Sequence, residues 1–91
     1  MSLLTRFAPP SLTAEQYDQV VGRLQGEGLS PADGLDYEIA FGSGDQIKVS
    51  LVWDSREHFE AFAVRLMPIL EEFGIDPGEP EVFEVHNIIK R

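Results

Sequence analysis

Ninety-one residues make one domain with no room for a second core, and a hydrophobic content of 43% with six phenylalanines is ample to build that core and argues against disorder. Sixteen acidic residues against seven basic ones leave a net charge of −9, which repels phosphate backbones and anionic membranes, so neither nucleic acid nor a membrane is expected as a partner. Cysteine is absent, which removes disulfide frameworks, thiolate nucleophiles and cysteine-based zinc sites.

Ser2 to Ala8 reads as a first strand that Pro9-Pro10 ends. Thr13-Ala14-Glu15-Gln16 has the form of a capping box, and Leu12 and Tyr17 stand where a hydrophobic staple belongs. Tyr17, Val20, Val21 and Leu24 then follow at helical spacing. Gly28 is a natural left-handed terminator, with Leu29 placed to fold back on Leu24. Leu35, Tyr37, Ile39 and Phe41 alternate with Asp36, Glu38 and Ala40, which predicts a second strand. Gly42-Ser43-Gly44-Asp45 is a hairpin turn into a third strand, Gln46 to Trp53.

Asp54 or Ser55 stops that strand and caps a long helix. Asp54 is the preferred cap, because Glu57 lies three residues on. Phe59, Phe62, Ala63, Leu66 and Leu70 form the apolar stripe of this helix. Pro68 inside it predicts a kink or two abutting helices, and Gly74 with Ile75 repeats the terminator pattern. After a tight connection, Val82 to Ile89 reads as the last strand.

The order β-α-β-β-α-β is the ferredoxin-like, split-βαβ arrangement of an α+β domain over residues 1–91, with both helices on one face of a four-stranded antiparallel sheet. Right-handed crossovers place the first and third strands in the middle. Simple alternation assigns Tyr37, Ile39, Phe41, Val49, Leu51 and Trp53 to the face under the helices. It assigns Asp36, Glu38, Ala40, Lys48, Ser50 and Val52, with Glu84 and His86, to the other face. The segment Met1 to Phe7 is too short to be a signal peptide and no apolar run approaches membrane-spanning length, so a soluble cytoplasmic protein is expected. A chain of this size hides roughly 60–65% of its unfolded surface, so a second subunit would help its stability.

Leu51-Val52-Trp53-Asp54-Ser55, followed by Phe59-Glu60-Ala61-Phe62, resembles the strand, corner and helix of the dimeric α+β barrel superfamily, which includes the antibiotic-biosynthesis-monooxygenase-like domains. Leu12-Thr13 with Tyr17, Trp53 with Ser55, Gly74-Ile75 with Pro77, and Val85-His86-Asn87 extend the resemblance over nearly the whole chain, toward small bacterial members without an assigned activity. The resemblance implies a homodimer in which two sheets pack face to face, and a pocket beside Trp53 between sheet and helices. Haem-degrading members pair a strand tryptophan with a histidine about ten residues later and a first-strand asparagine. Here Ala63 stands at that spacing and the first strand has no asparagine, so that activity is disfavoured.

The residues leave two readings of function. One is a homodimeric binding or structural module. The other is a cofactor-independent monooxygenase or isomerase acting on a small apolar or aromatic compound. No sequence feature calls for a cofactor or a metal, since His58 and His86 are too far apart to form a ligand motif. Trp53, Tyr37 and Phe62 are the candidate pocket residues, although large aromatics at such corners more often fill core. His86 is the candidate general base and Asn87 the candidate orienting donor, against a favoured reading of both as structural hydrogen-bonding groups. His58 reads as an exposed helix histidine.

Overall fold

The computed structural model describes residues 2–91. Its elements are β1 (Leu3–Phe7), α1 (Ala14–Gly26), β2 (Leu35–Phe41), β3 (Lys48–Trp53), α2 (Arg56–Glu72) and β4 (Glu81–Glu84). The strands form one antiparallel sheet in the order β2-β3-β1-β4, with both helices on one face. This is the ferredoxin-like α+β arrangement, with the first and third strands central as expected.

The helix boundaries follow the local chemistry. The Thr13 hydroxyl accepts the Gln16 amide at 3.1 Å, and the Gln16 side chain accepts the Thr13 amide at 2.9 Å. At the far end Gly28 adopts φ +72°, and the Leu29 amide reaches back to the Leu24 carbonyl at 2.8 Å. The same closure ends α2, where Gly74 has φ +69° and Ile75 donates to Leu70 at 2.9 Å.

Ser55, not Asp54, caps α2, with its hydroxyl accepting the His58 amide at 3.3 Å. Asp54 is drawn instead to the His58 ring. The α2 helix runs unbroken through Pro68, so the expectation of two abutting helices is corrected. The carbonyl that Pro68 cannot serve belongs to Val64, which is 72% exposed, and water can take that bond.

The largest correction concerns β2. Leu35 stands opposite Trp53, but Tyr37 stands opposite Val52, and the register shift between them is a bulge at Asp36. One extra residue inverts every later side chain. Glu38 and Ala40 therefore share the helix face with Leu51 and Val49, while Tyr37, Ile39 and Phe41 join Val52, Ser50 and Lys48 on the open face. Glu84, opposite Leu3, also falls on the helix side.

Two strand ends differ from the alternation pattern. Gln46 and Ile47 leave the hairpin to bridge Leu12, whose carbonyl accepts the Ile47 amide at 3.0 Å. The last strand stops at Glu84, and residues 85–91 continue without regular structure.

The core lies between sheet and helices. Leu3, Phe7, Val49, Leu51 and Trp53 of the sheet meet Val20, Leu24, Phe59, Leu66, Ile69 and Leu70 of the helices. Trp53 and Thr5 are its fully buried members, and the indole N–H donates to the Thr5 hydroxyl at 3.1 Å. That bond satisfies the one polar atom that burying a tryptophan carries inward.

Candidate functional site

Of the three candidate pocket residues, Trp53 and Phe62 meet and Tyr37 stands apart. Trp53 has no exposed surface, and its ring packs against Phe59 and Phe62 at centroid distances of 6.0 and 5.3 Å. Tyr37 lies across the sheet on the open face, a consequence of the Asp36 bulge. His86 and Asn87 are exposed and lie beyond β4, so neither enters the apolar layer. Only Phe62 borders an internal space.

That space is a cavity of about 70 Å³ between α1, α2 and the sheet, walled by Val20, Leu24, Val49, Leu51, Phe62 and Leu66. Its polar group comes from a pair the sequence analysis did not join. Tyr17 on α1 donates its phenol hydrogen to the Glu38 carboxylate on β2, and both residues line the cavity. Burial first, then the hydrogen bond to Glu38 and its charge, push the Tyr17 phenol well above its ordinary range, so it stays protonated. The pair bridges α1 to the edge strand of the sheet. Only the bulge could have revealed it, because plain alternation sends Glu38 to the other side.

A second constellation stands at the start of α2. The Asp54 carboxylate accepts a hydrogen bond from Nδ1 of His58 at 2.6 Å, and the Ser55 hydroxyl lies 3.1 Å from the same nitrogen. The bond to Asp54, then its charge, raise the His58 pKa above the usual histidine value and lower that of Asp54. Among the described residues no group of three or more histidines or acids is placed to hold a metal ion. No helix among them is long and apolar enough to cross a membrane.

The open face of the sheet carries the third notable feature. Tyr37, Val52, Leu4 and Phe83 stand opposite one another across all four strands, an apolar row on the side away from the helices. Ile39 is 58% exposed and Phe83 50% exposed. The Arg6–Glu81 ion pair, at 2.7 Å, lies beside this row.

Comparison with solved structures fixes the architecture. A protein from Chloroflexus aurantiacus assigned as an antibiotic biosynthesis monooxygenase superposes with a TM-score of 0.67 at 17% identity, over 99% of this chain and 98% of that one. The chain has the antibiotic-biosynthesis-monooxygenase fold. A Deinococcus radiodurans protein with the same assignment gives 0.63 at 12% identity, over 100% of this chain and 98% of that one. SnoaB, a cofactor-independent oxygenase from Streptomyces nogalater, gives 0.61 at 16% identity, over 99% of this chain and 96% of that one. No family model matches the sequence, and no curated protein is similar to it. At these identities the likeness is one of fold, and this fold hosts several chemistries.

Proposed function

We propose that the protein is a homodimeric module that binds a small apolar compound between its sheet and helices. The observation that carries this reading is the cavity itself: apolar walls with one polar pair, Tyr17 and Glu38, as small-molecule sites usually have. Its volume of about 70 Å³ is below the roughly 150 Å³ known to admit benzene. A ligand of that size enters by parting Tyr17 from Glu38 and moving α1 from the edge of β2. Calorimetry with 1-naphthol tests the reading. Binding is expected, and Val20→Phe, which fills the cavity, abolishes it. No heat at millimolar naphthol overturns the proposal.

The dimer rests on the apolar row of the open face. Two such rows packed together remove Tyr37, Val52, Leu4 and Phe83 from water. Sedimentation at micromolar concentration is expected to give twice the chain mass of 10.2 kDa, and a monomer alone overturns this part.

A second reading, a cofactor-independent monooxygenase or an isomerase, draws its support from likeness of fold to SnoaB. Oxygen uptake with a polycyclic phenol separates the two readings: consumption by wild type but not by Glu38→Gln favours the enzyme.

A further inference from the structure

The loop that joins α1 to β2 and the first half of α2 enclose a groove of about 320 Å³, separate from the sheet–helix cavity. Leu29, Ala32 and Phe62 give it an apolar lining, Asp33 and His58 stand in its wall, and Arg65 completes it. The volume is at the lower end of the range for small-molecule sites.

Charge and helical geometry give the groove a direction. His58 and Arg65 are seven residues apart, two turns along α2, so they share a face about 10 Å apart along the axis. Phe62 lies between them. Asp33 and Asp54 gather at the His58 end, whereas Arg65 forms no ion pair among the described residues. An anionic ligand is therefore repelled at one end and received at the other.

The His58 ring is held through one nitrogen. Asp54 accepts from Nδ1 at 2.6 Å, which fixes the tautomer, and no group among the described residues bonds Nε2. The backbone is cut to fit this pair. Gly34 has φ +79°, its carbonyl accepts the Asp54 amide at 2.8 Å, and a Cβ there would collide with the His58 ring and stand 2.6 Å from the Asp54 carboxylate. An unbonded Nε2 backed by a carboxylate is the arrangement of a general base.

We propose that this groove binds a keto acid whose carbonyl and carboxylate lie at opposite ends of a flat apolar body, and that His58 enolises it. The carboxylate pairs with Arg65, the body lies along Leu29, Ala32 and Phe62, and the carbon beside the carbonyl meets Nε2. Nε2 takes a proton from that carbon. The C–H electron pair becomes the C=C bond of the enol, and the carbonyl oxygen takes up the displaced pair and a proton from the imidazolium or from water. No oxidant or further reactant enters. Asp54 is a positioning residue for this step. Asp33, Asp54, Glu57 and Arg65 are the charged groups around the ring, and exchange rises with pH as His58 loses its proton.

The probe is 4-acetylbenzoate. In ¹⁵N-resolved NMR it is expected to shift the amides of Leu29, Ala32, Phe62 and Arg65, and its methyl protons exchange in D₂O faster than in buffer alone. Arg65→Gln weakens binding tenfold or more. His58→Gln keeps binding within about twofold and returns exchange to the buffer rate. Asp54→Asn moves the pH midpoint of exchange downward. All three positions are exposed, so the variants fold. No shifts at millimolar probe, or exchange by His58→Gln equal to wild type, overturns the proposal. Shifts at Val20 and Leu24 instead also overturn it, while supporting the sheet–helix cavity as the binding site.

Discussion

The two faces of the sheet differ in how they treat the same kind of residue. Under the helices, Leu3, Phe7, Leu51 and Trp53 are buried, and the one indole N–H is paired with Thr5. On the other side, Tyr37, Ile39, Phe41 and Phe83 are each more than a third exposed. A small domain can afford only one finished layer from two helices. The second apolar face is explicable as a surface that another copy of the chain completes.

The largest expected effect is on the finished face. Trp53→Ala should cost roughly 3–5 kcal/mol, the range for removing a buried large aromatic. Chemical denaturation checks it, and a loss under 1 kcal/mol would erase the contrast between the faces. Thr5→Val should cost about 1–3 kcal/mol, because the indole donor then loses its partner at a fully buried position.

On the open face the effect should fall on association instead. Ile39→Lys or Phe83→Lys is expected to weaken the proposed dimer at least tenfold in sedimentation equilibrium, equivalent to about 1.4 kcal/mol. The stability of the isolated chain should change by less than about 0.5 kcal/mol. Equal association in wild type and both variants would leave the apolar row without a role.

Tyr17→Phe should cost less, about 0.5–1 kcal/mol, since its hydrogen bond lies at the edge of the layer. Its pH dependence is more telling. The folded phenol titrates above its ordinary value of 10.0, so its contribution is whole below that pH and is lost as pH rises toward the folded value. Wild type should therefore lose stability above pH 10.0 more steeply than Tyr17→Phe.

The smallest effect belongs to the exposed pair at the start of α2. The His58 pKa is raised above 6.5, so its contribution is present below that pH and fades as pH climbs through the folded midpoint. Asp54 is lowered from 3.8, so its share is present above that pH and fades on acidification through its depressed value. NMR titration should place the His58 midpoint above 6.5, and Asp54→Asn should bring it down.

The Lys90 ammonium lies 5.0 Å from the centroid of Tyr37, while Val85 is still bonded to Ser2 near β4. Residues 85–90 thus span from one sheet edge to the other, about 14 Å at three strand spacings. The sequence pattern continues the last strand through this segment to Ile89. The regular strand ends at Glu84 because, past the Val85–Ser2 bond, the chain turns toward Tyr37 and leaves β1.

The sequence by itself determined the element order, both helix terminators, the Thr13 capping box and the burial of the Trp53 corner, because each rests on contacts within a few residues or on one unbroken period. The ferredoxin-like topology followed from that order and from the handedness of crossovers. Tertiary structure alone decided which side of the sheet most of β2 presents. The bulge at Asp36 keeps Leu35 against the core while freeing the remainder of an edge strand, and no local pattern in the sequence marks it. It also decided the long-range contacts of the candidate sites, since Tyr17 meets Glu38 across 21 residues and His58 lines a groove with a loop that begins thirty residues earlier. Pairings of that length depend on how layers stack, and one inverted side chain is enough to move a residue from one face to the other.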